Sequence, residues 1–417
     1  MSRCTPKWSC FSASVGLVIV MAATIGCGLT SASGPIASVG DDSADNTKAR
    51  DSEGAPPSNM AHTNWPVYRG DAQARGVAPC DLPERPELLW QFRVEGGAFE
   101  ATPVILDGTI YIGDLDGKLY ALDLATGDKR WEFTAPSGIG FNASPAVRDG
   151  LVYVGDLFGQ FYAVHADTGK LAWQYQAQAE INSSANFHGD HVLFGSQDAT
   201  LYCLKAKTDK PEGELVWSYQ IGDQIRCSPT IVEGRVFLAG CDGVLHIVDV
   251  TKGEKIDGVD IEGPTGATPA ALGDRVFFGT ESGTFFAVDW KEARIAWRFD
   301  DQASAMPIRG APAVTDSLVI VGGQNRRVYA FDPEKGGDPV WEFATKQRVD
   351  GSPVVVGQRV FVGSADGRLY ALNLMDGKES WQFEGEGGFL GSPAVADNRL
   401  VIATDRGVVY CLGEKRN

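Results

Sequence analysis

Basic residues are in short supply in this chain of 417 residues: 37 lysines and arginines stand against 54 aspartates and glutamates, a formal charge of −17. A surface that acidic repels phosphate backbones and anionic headgroups, which argues against nucleic acid as a partner. Long apolar runs are missing too. The stretch at residues 15–25 is too short to read as a membrane-spanning helix; behind Arg3 and Lys7 it reads as the core of an export signal. No Cys-x-x-Cys-His occurs, so there is no attachment site for haem, and nowhere do two cysteines stand adjacent. Histidine is scarce, with five in all. His188-Gly189-Asp190-His191 brings two close together, but where other repeats turn their first hairpin, so it reads as an exposed turn rather than a zinc site. Asp114-Leu115-Asp116-Gly117 lacks the ligand set of a calcium loop and recurs as Gly363-Ser364-Ala365-Asp366-Gly367, a repeated second turn.

What the chain has in abundance is one repeat. Eight times between residues 100 and 412 a small-residue and proline step precedes an apolar run ending in glycine, a turn and an aromatic-apolar segment. The step reads Ala101-Thr102-Pro103, Ala143-Ser144-Pro145, Cys227-Ser228-Pro229 and so on to Gly391-Ser392-Pro393; Ser183-Ser184-Ala185 is the copy without proline. The closing residues Gly113, Gly155, Gly195, Gly240, Gly279, Gly322, Gly363 and Ala403 are spaced 42, 40, 45, 39, 43, 41 and 40 apart. A period this regular means an array, since no single unit can bury its apolar face alone.

Each unit reads as strands. Leu151-Val152-Tyr153-Val154 and Arg359-Val360-Phe361-Val362 are short, β-branched and aromatic, and bounded by turn pairs such as Asp107-Gly108, Asp149-Gly150 and Glu233-Gly234. A third strand follows each glycine, and a fourth carries Trp131, Trp173, Trp217, Trp297, Trp341 or Trp381. Four antiparallel strands at this period make a propeller blade, and radial repetition protects the sheet edges. The expected fold is all-β, an eight-bladed β-propeller. Repeat four lacks the tryptophan, with Val259 nearest its place, and repeat eight ends before a fourth strand. Leu89-Trp90-Gln91-Phe92 resembles Arg130-Trp131-Glu132-Phe133 and supplies that strand from upstream, closing the ring from both termini. One propeller over residues 65–417, with a tail before it, accounts for the length without a second core.

The segments Ala121-Leu122-Asp123-Leu124-Ala125-Thr126-Gly127 to Trp131, Asp167-Thr168-Gly169-Lys170 to Trp173, and Asp376-Gly377-Lys378 to Trp381 resemble the tryptophan-docking motif of the pyrroloquinoline-quinone-like (PQQ-like) β-propeller repeat family. The resemblance covers about three quarters of the chain, and Trp65-Pro66-Val67-Tyr68-Arg69-Gly70 resembles the segment that often precedes such propellers. It implies that each tryptophan, Trp90 included, packs between neighbouring blades. It also implies one of two activities. Quinoprotein dehydrogenases carry the quinone and calcium in the central channel, whereas scaffolds such as the propeller lipoprotein of the outer-membrane β-barrel assembly machinery carry out no chemistry. The vicinal disulfide of many such dehydrogenases has no counterpart here, and no catalytic aspartate or calcium-ligand set is recognisable. The reading is therefore a non-enzymatic, monomeric scaffold without cofactor that binds envelope proteins. A PQQ-dependent oxidoreductase and a sensor or carbohydrate-binding propeller are the alternatives.

At the amino terminus, Ile25-Gly26-Cys27 resembles the end of a lipoprotein cleavage box, with Thr24 where leucine is usual. Lipidation at Cys27 would tether the protein to a membrane, the outer one by the resemblance of Gly28 to the sorting position; cleavage near Ala32-Ser33 would instead give a soluble secreted protein. Either way the expected location is the periplasm or outer membrane, or outside the cell. Residues 28–64, small, polar and acidic, read as a flexible linker. Cys80, Cys203, Cys227, Cys241 and Cys411 remain after export. Cys227 and Cys241 flank one hairpin and are the candidate bridge; buried thiols acting as small apolar residues are the simpler reading.

One constellation is a candidate binding site. Three residues before the last residue of each step, at one rim of the central channel, stand Glu100, Asn142, Asn182, Arg226, Arg309 and Asp350, with Gly266 and Leu390 completing the ring. Such a mouth suits an acidic or amide-bearing ligand. The plainer expectation is that Arg226 and Arg309 neutralise Glu100 and Asp350.

Overall fold

The computed structural model describes residues 62–301 and 304–415. These form eight four-stranded antiparallel sheets and no helix. Within a blade the strands run in chain order from the channel outward, as in Val104–Leu106, Thr109–Gly113, Lys118–Asp123 and Lys129–Thr134 of blade 1. The inner strand is only three residues long because eight blades converge on the axis; the second and third carry runs such as Ile110, Tyr111 and Ile112 that are buried on both faces. Those faces meet between blades: Val104, Leu119 and Phe133 of blade 1 share a core with Val147, Val152 and Tyr162 of blade 2. Each such aliphatic side chain contributes roughly 1.5–3 kcal/mol when fully buried, and two faces per blade explain the unbroken apolar runs.

Blade 8 takes its outer strand from upstream. Glu87–Arg93 pairs antiparallel with Val408–Gly413, Trp90 opposite Cys411. The hairpin turns hold their residues in the left-handed region, Asp107 at φ 47° and Gly108 at 69°, where tight antiparallel hairpins need it.

The docking tryptophans sit between blades, each against the blade that follows. Indole Nε1 donates to the next blade from Trp90 to Leu124, Trp131 to Ala166, Trp173 to Ala206, Trp297 to Pro333 and Trp341 to Leu374. The ring lies on a glycine of that blade's outer turn. A Cβ on Gly127 would come within 2.6 Å of Trp90, and one on Gly169 within 2.7 Å of Trp131. Trp217 packs on Gly253, but its Nε1 is buried without a partner. Trp381 lies on the core that blades 7, 8 and 1 share, with ring contacts to Phe361 and Phe383 of its own blade.

Blade 4 departs from the pattern. Strand register puts Asp257, opposite Ile247, where the other blades have tryptophan; Val259, opposite Leu245, matches Phe133 of blade 1. Asp257 and Val259 lie two residues apart on one unbroken stretch of pairing, so the sequence count landed two residues late. Without an indole to admit, blade 5 has Ala293 near the place of the docking glycine. Trp290 fills the gap from the other side: it packs edge-on against Phe237 of blade 4 and donates to Gly273.

Residues upstream of the ring cross one end of the channel as a strap that bonds to every blade. Trp65 exchanges two hydrogen bonds with Ile105 (both 2.8 Å), and the amides of Val147, Ile231, Ala271, Val314 and Val355 donate to Pro66, Ala72, Gln73, Arg75 and Gly76. Asn186 of blade 3 donates its side-chain amide to Ala72, and Asp397 of blade 8 accepts from Thr63 and bonds His62. Ordered structure thus includes His62, Thr63 and Asn64, which the sequence assigned to the linker. Arg69 is wholly buried in the strap, donating to the carbonyls of Pro312 (3.2 Å) and Pro353 (2.5 Å), and burial pulls its guanidinium down to about 10. Cys27, the export signal and the rest of the linker lie outside the described residues.

Candidate functional site

Because the strap seals one end, the channel is a blind well of about 660 Å³ opening at the opposite face. Tyr68 lies at its floor, its hydroxyl 2.9 Å from Ser352 Oγ. The wall is a belt of hydroxyls from the proline steps, and each accepts the backbone N–H of the step one blade earlier. Thus Thr102 donates to Ser144, Ser144 to Ser184, Ser184 to Ser228 and Ser228 to Thr268, at 2.9–3.0 Å. Ala311 donates to Ser352, Ser352 to Ser392, and Ser392 to Thr102, crossing the seam. Only blade 6, with Ala311, has no hydroxyl to offer Thr268. The sequence showed the serine and threonine of the step as small residues; their hydroxyl role was not read, although the recurrence of an acceptor at seven of eight copies carried the signal.

All six rim candidates line this well. Their pairing differs from the expected one. Arg309 makes a two-pronged contact with Glu281 (2.9 and 2.8 Å), which rises from a turn of blade 5. Asp350 is held by Arg348 (2.5 Å) and Gln324 (2.7 Å). Arg226 is held by Gln224 Oε1 (3.1 and 2.7 Å) and pairs with no carboxylate among the described residues. Glu100 has no hydrogen-bond or ion-pair partner among the described residues; burial, then the carboxylates of Asp350 and Asp405, push its pKa up against the pull of Arg348. The expected partners sit on different blades around the ring, whereas side chains on adjacent turns reach each arginine first.

The turns around the mouth are clamped by carboxylates. Asp114 accepts the amides of Asp116 (3.0 Å) and Lys118 (2.8 Å) and the hydroxyl of Tyr120 (2.8 Å). Asp156 with Tyr162, and Asp366 with Tyr370, repeat the clamp. Asp114 is therefore occupied in holding its turn. His188 and His191 flank a hairpin turn as expected. Among the described residues no group of three histidine, cysteine, aspartate or glutamate side chains is placed to hold a metal. Cys227 and Cys241 are not bridged: both are free thiols. Cys227 is fully buried, which pushes its thiol up to about 12, and Cys241 Sγ faces the Thr265 carbonyl at 3.6 Å.

Compared with known families, the chain matches the model for outer membrane protein assembly factor BamB at residues 83–209, 182–256, 207–337 and 324–415. Those segments together take in all eight blades and the closing strand. The chain belongs to the BamB family. Among curated relatives, BamB of Yersinia pestis is 25% identical over 166 residues, 39% of this chain and 31% of that protein. Quinohemoprotein alcohol dehydrogenase ADH-IIG of Pseudomonas putida is 31% identical over 166 residues, 34% of this chain and 23% of that enzyme. The matches thus span only about a quarter to a third of these relatives' own lengths. Among solved structures, BamB of Moraxella catarrhalis superposes with a TM-score of 0.66 at 20% identity, over 80% of this chain and 98% of that one. The quinohemoprotein alcohol dehydrogenase of Comamonas testosteroni gives 0.71 at 15% identity, over 85% and 81%. At such identities the superpositions speak for the propeller fold alone.

Proposed function

We propose that this BamB-family propeller is an exported, non-catalytic, monomeric scaffold that binds envelope proteins, with outer-membrane protein assembly as its setting and a lipid at Cys27 as its anchor. The observation that carries the reading is the family match running from residue 83 to residue 415 under the description of an outer membrane protein assembly factor.

The relatives that are quinohemoprotein alcohol dehydrogenases favour a second reading, a quinone-dependent oxidoreductase. The residues of the well are a poor fit for that cofactor. Calcium takes six to eight oxygen ligands, whereas Asp350 and Glu281 are engaged by Arg348 and Arg309. Tyr68, at the floor, is the one aromatic side chain in the lining against which a planar ring system can stack. The wall below the rim is built of hydroxyls already committed to the belt, and of the three carboxylates in the lining only Glu100 is unpaired among the described residues, too few charged oxygens for a calcium site.

Affinity purification of the full chain from detergent-solubilised native membranes tests the scaffold reading. A stoichiometric outer-membrane assembly protein is expected to co-purify, and Cys27→Ala is expected to move the chain into the soluble fraction. Recovery of the chain alone, with membrane association unchanged by that substitution, would contradict it.

A further inference from the structure

The rim of the well divides into two unlike halves. From blade 5 to blade 8 it is closed off: Gly266 has no side chain, Arg309 is bound to Glu281, Asp350 to Arg348 and Gln324, and Leu390 is apolar. From blade 1 to blade 4 the rim positions are Glu100, Asn142, Asn182 and Arg226, in that order around the mouth. Among the described residues the side chains of Glu100 and Asn142 make no hydrogen bond or ion pair, and Asn182 Oδ1 is buried with no partner. Arg226 is oriented by the neutral Gln224 oxygen, which leaves its positive charge without a counter-charge and part of its donor set free. Gly266 makes the room: a Cβ there would stand 3.2 Å from Arg226 Cβ, so the arginine lies across the place where blade 5 has no side chain.

An unmet buried acceptor costs folding free energy unless something in use satisfies it. The four groups also follow one another in a chemically legible order. A carboxylate accepts from an ammonium or guanidinium; the planar amide of asparagine offers both a donor and an acceptor, which matches the C=O and N–H of a peptide unit; and a guanidinium grips a carboxylate through two parallel N–H donors. Read from blade 4 back to blade 1, the arc presents a carboxylate receptor, two peptide-unit receptors and a cation receptor, over a blind well whose floor stops a longer ligand from threading through.

We propose that this arc is a binding site for a short extended peptide, its terminal carboxylate on Arg226, its peptide units on Asn182 and Asn142, and a cationic side chain a few residues upstream on Glu100. The site is independent of the scaffold reading, since it concerns the interior of the well and not the faces on which a folded partner would dock. Free oligopeptides and the carboxyl-terminal tails of proteins share this chemistry.

Calorimetric titration of the full chain tests it with N-acetyl-Lys-Ala-Ala, its carboxyl-terminal amide, and N-acetyl-Gln-Ala-Ala. Saturable binding of the first is expected, weakened about tenfold or more by amidation and to a similar extent by Arg226→Ala. The preference for lysine over glutamine is expected to vanish in Glu100→Gln, a variant that leaves the carboxylate contact in place. Arg226 and Glu100 lie on the rim and carry no strand pairing, and a cooperative melting transition no lower than that of the parent chain establishes that each variant is folded. Absence of binding heat at millimolar peptide overturns the proposal, as does binding that amidation and Arg226→Ala leave untouched. A longer peptide ending in the same three residues separates the sources: equal affinity assigns the site to protein tails, and binding confined to the tripeptide assigns it to free oligopeptides.

Discussion

Glu100 is a rim carboxyl whose ionisation the fold opposes, because partial burial, then Asp350 and Asp405, raise its pKa against the pull of Arg348. A carboxyl raised in the folded state holds more protons there than in the unfolded chain, so its contribution is most favourable at low pH and is lost as pH rises from the unfolded value through the folded one. Glu100→Gln is therefore expected to raise the melting temperature at neutral pH and to leave it unchanged below the ordinary carboxylate range; melting curves across that window check the sign, and a variant no more stable at pH 7 would count against it. Gly169 carries the opposite kind of constraint. It sits at φ 70°, and an added Cβ would meet Trp131 at 2.7 Å, so Gly169→Ala should cost on the order of 2–4 kcal/mol in denaturant titration. Ala293→Gly, where blade 4 sends no indole, should change stability by less than about 1 kcal/mol. The tryptophans were legible in the sequence because they recur. That Trp90 and Trp131 need a glycine in the next blade was implicit in Thr126-Gly127 and Thr168-Gly169, and only the contact across blades shows why the glycine cannot carry a side chain. The pairings of Arg226, Arg309 and Asp350 were not legible: Glu281 and Gln324 reach the rim from turns of their own, at separations no repeat records.

At the scale of elements, the proline step and the strand-ending glycines announced the blades because burial on both faces forces uninterrupted apolar runs. The hydroxyl belt was hidden inside the same step. Ser144→Ala would leave the Thr102 amide unpaired and is expected to cost about 1–3 kcal/mol, while Ala311→Ser would give Thr268 the acceptor that blade 6 withholds and is expected to gain about 0.5–1.5 kcal/mol. Denaturation midpoints of the two variants should move in opposite directions. The strap left almost no trace in the sequence, since it bonds to six of the blades backbone to backbone. The closing strand was legible because Trp90 repeats the pattern of Trp131. Deleting Glu87–Arg93 uncovers the edge of Val408–Gly413 and opens the blade-8 seam, so the truncated chain is expected to lose its cooperative melting transition and to aggregate. A soluble monomer with an unchanged transition would show that the seam is held elsewhere.

At the scale of the molecule, an eight-bladed ring closed at both termini and sealed at one face presents one well and broad loop faces to its surroundings. The ring follows from the period of the repeat; the sealed end, which turns a channel into a well, does not. Two of the well's three carboxylates, Glu281 and Asp350, are committed to arginines and its belt hydroxyls to the backbone amides of neighbouring blades, an arrangement for holding a shape and gripping a ligand rather than for binding a metal and a redox ring. Calorimetric titration of the protein with pyrroloquinoline quinone, with and without calcium, puts this most directly to the test. The account predicts no binding heat and no change in melting temperature under either condition; calcium-dependent binding at micromolar affinity or tighter would contradict it.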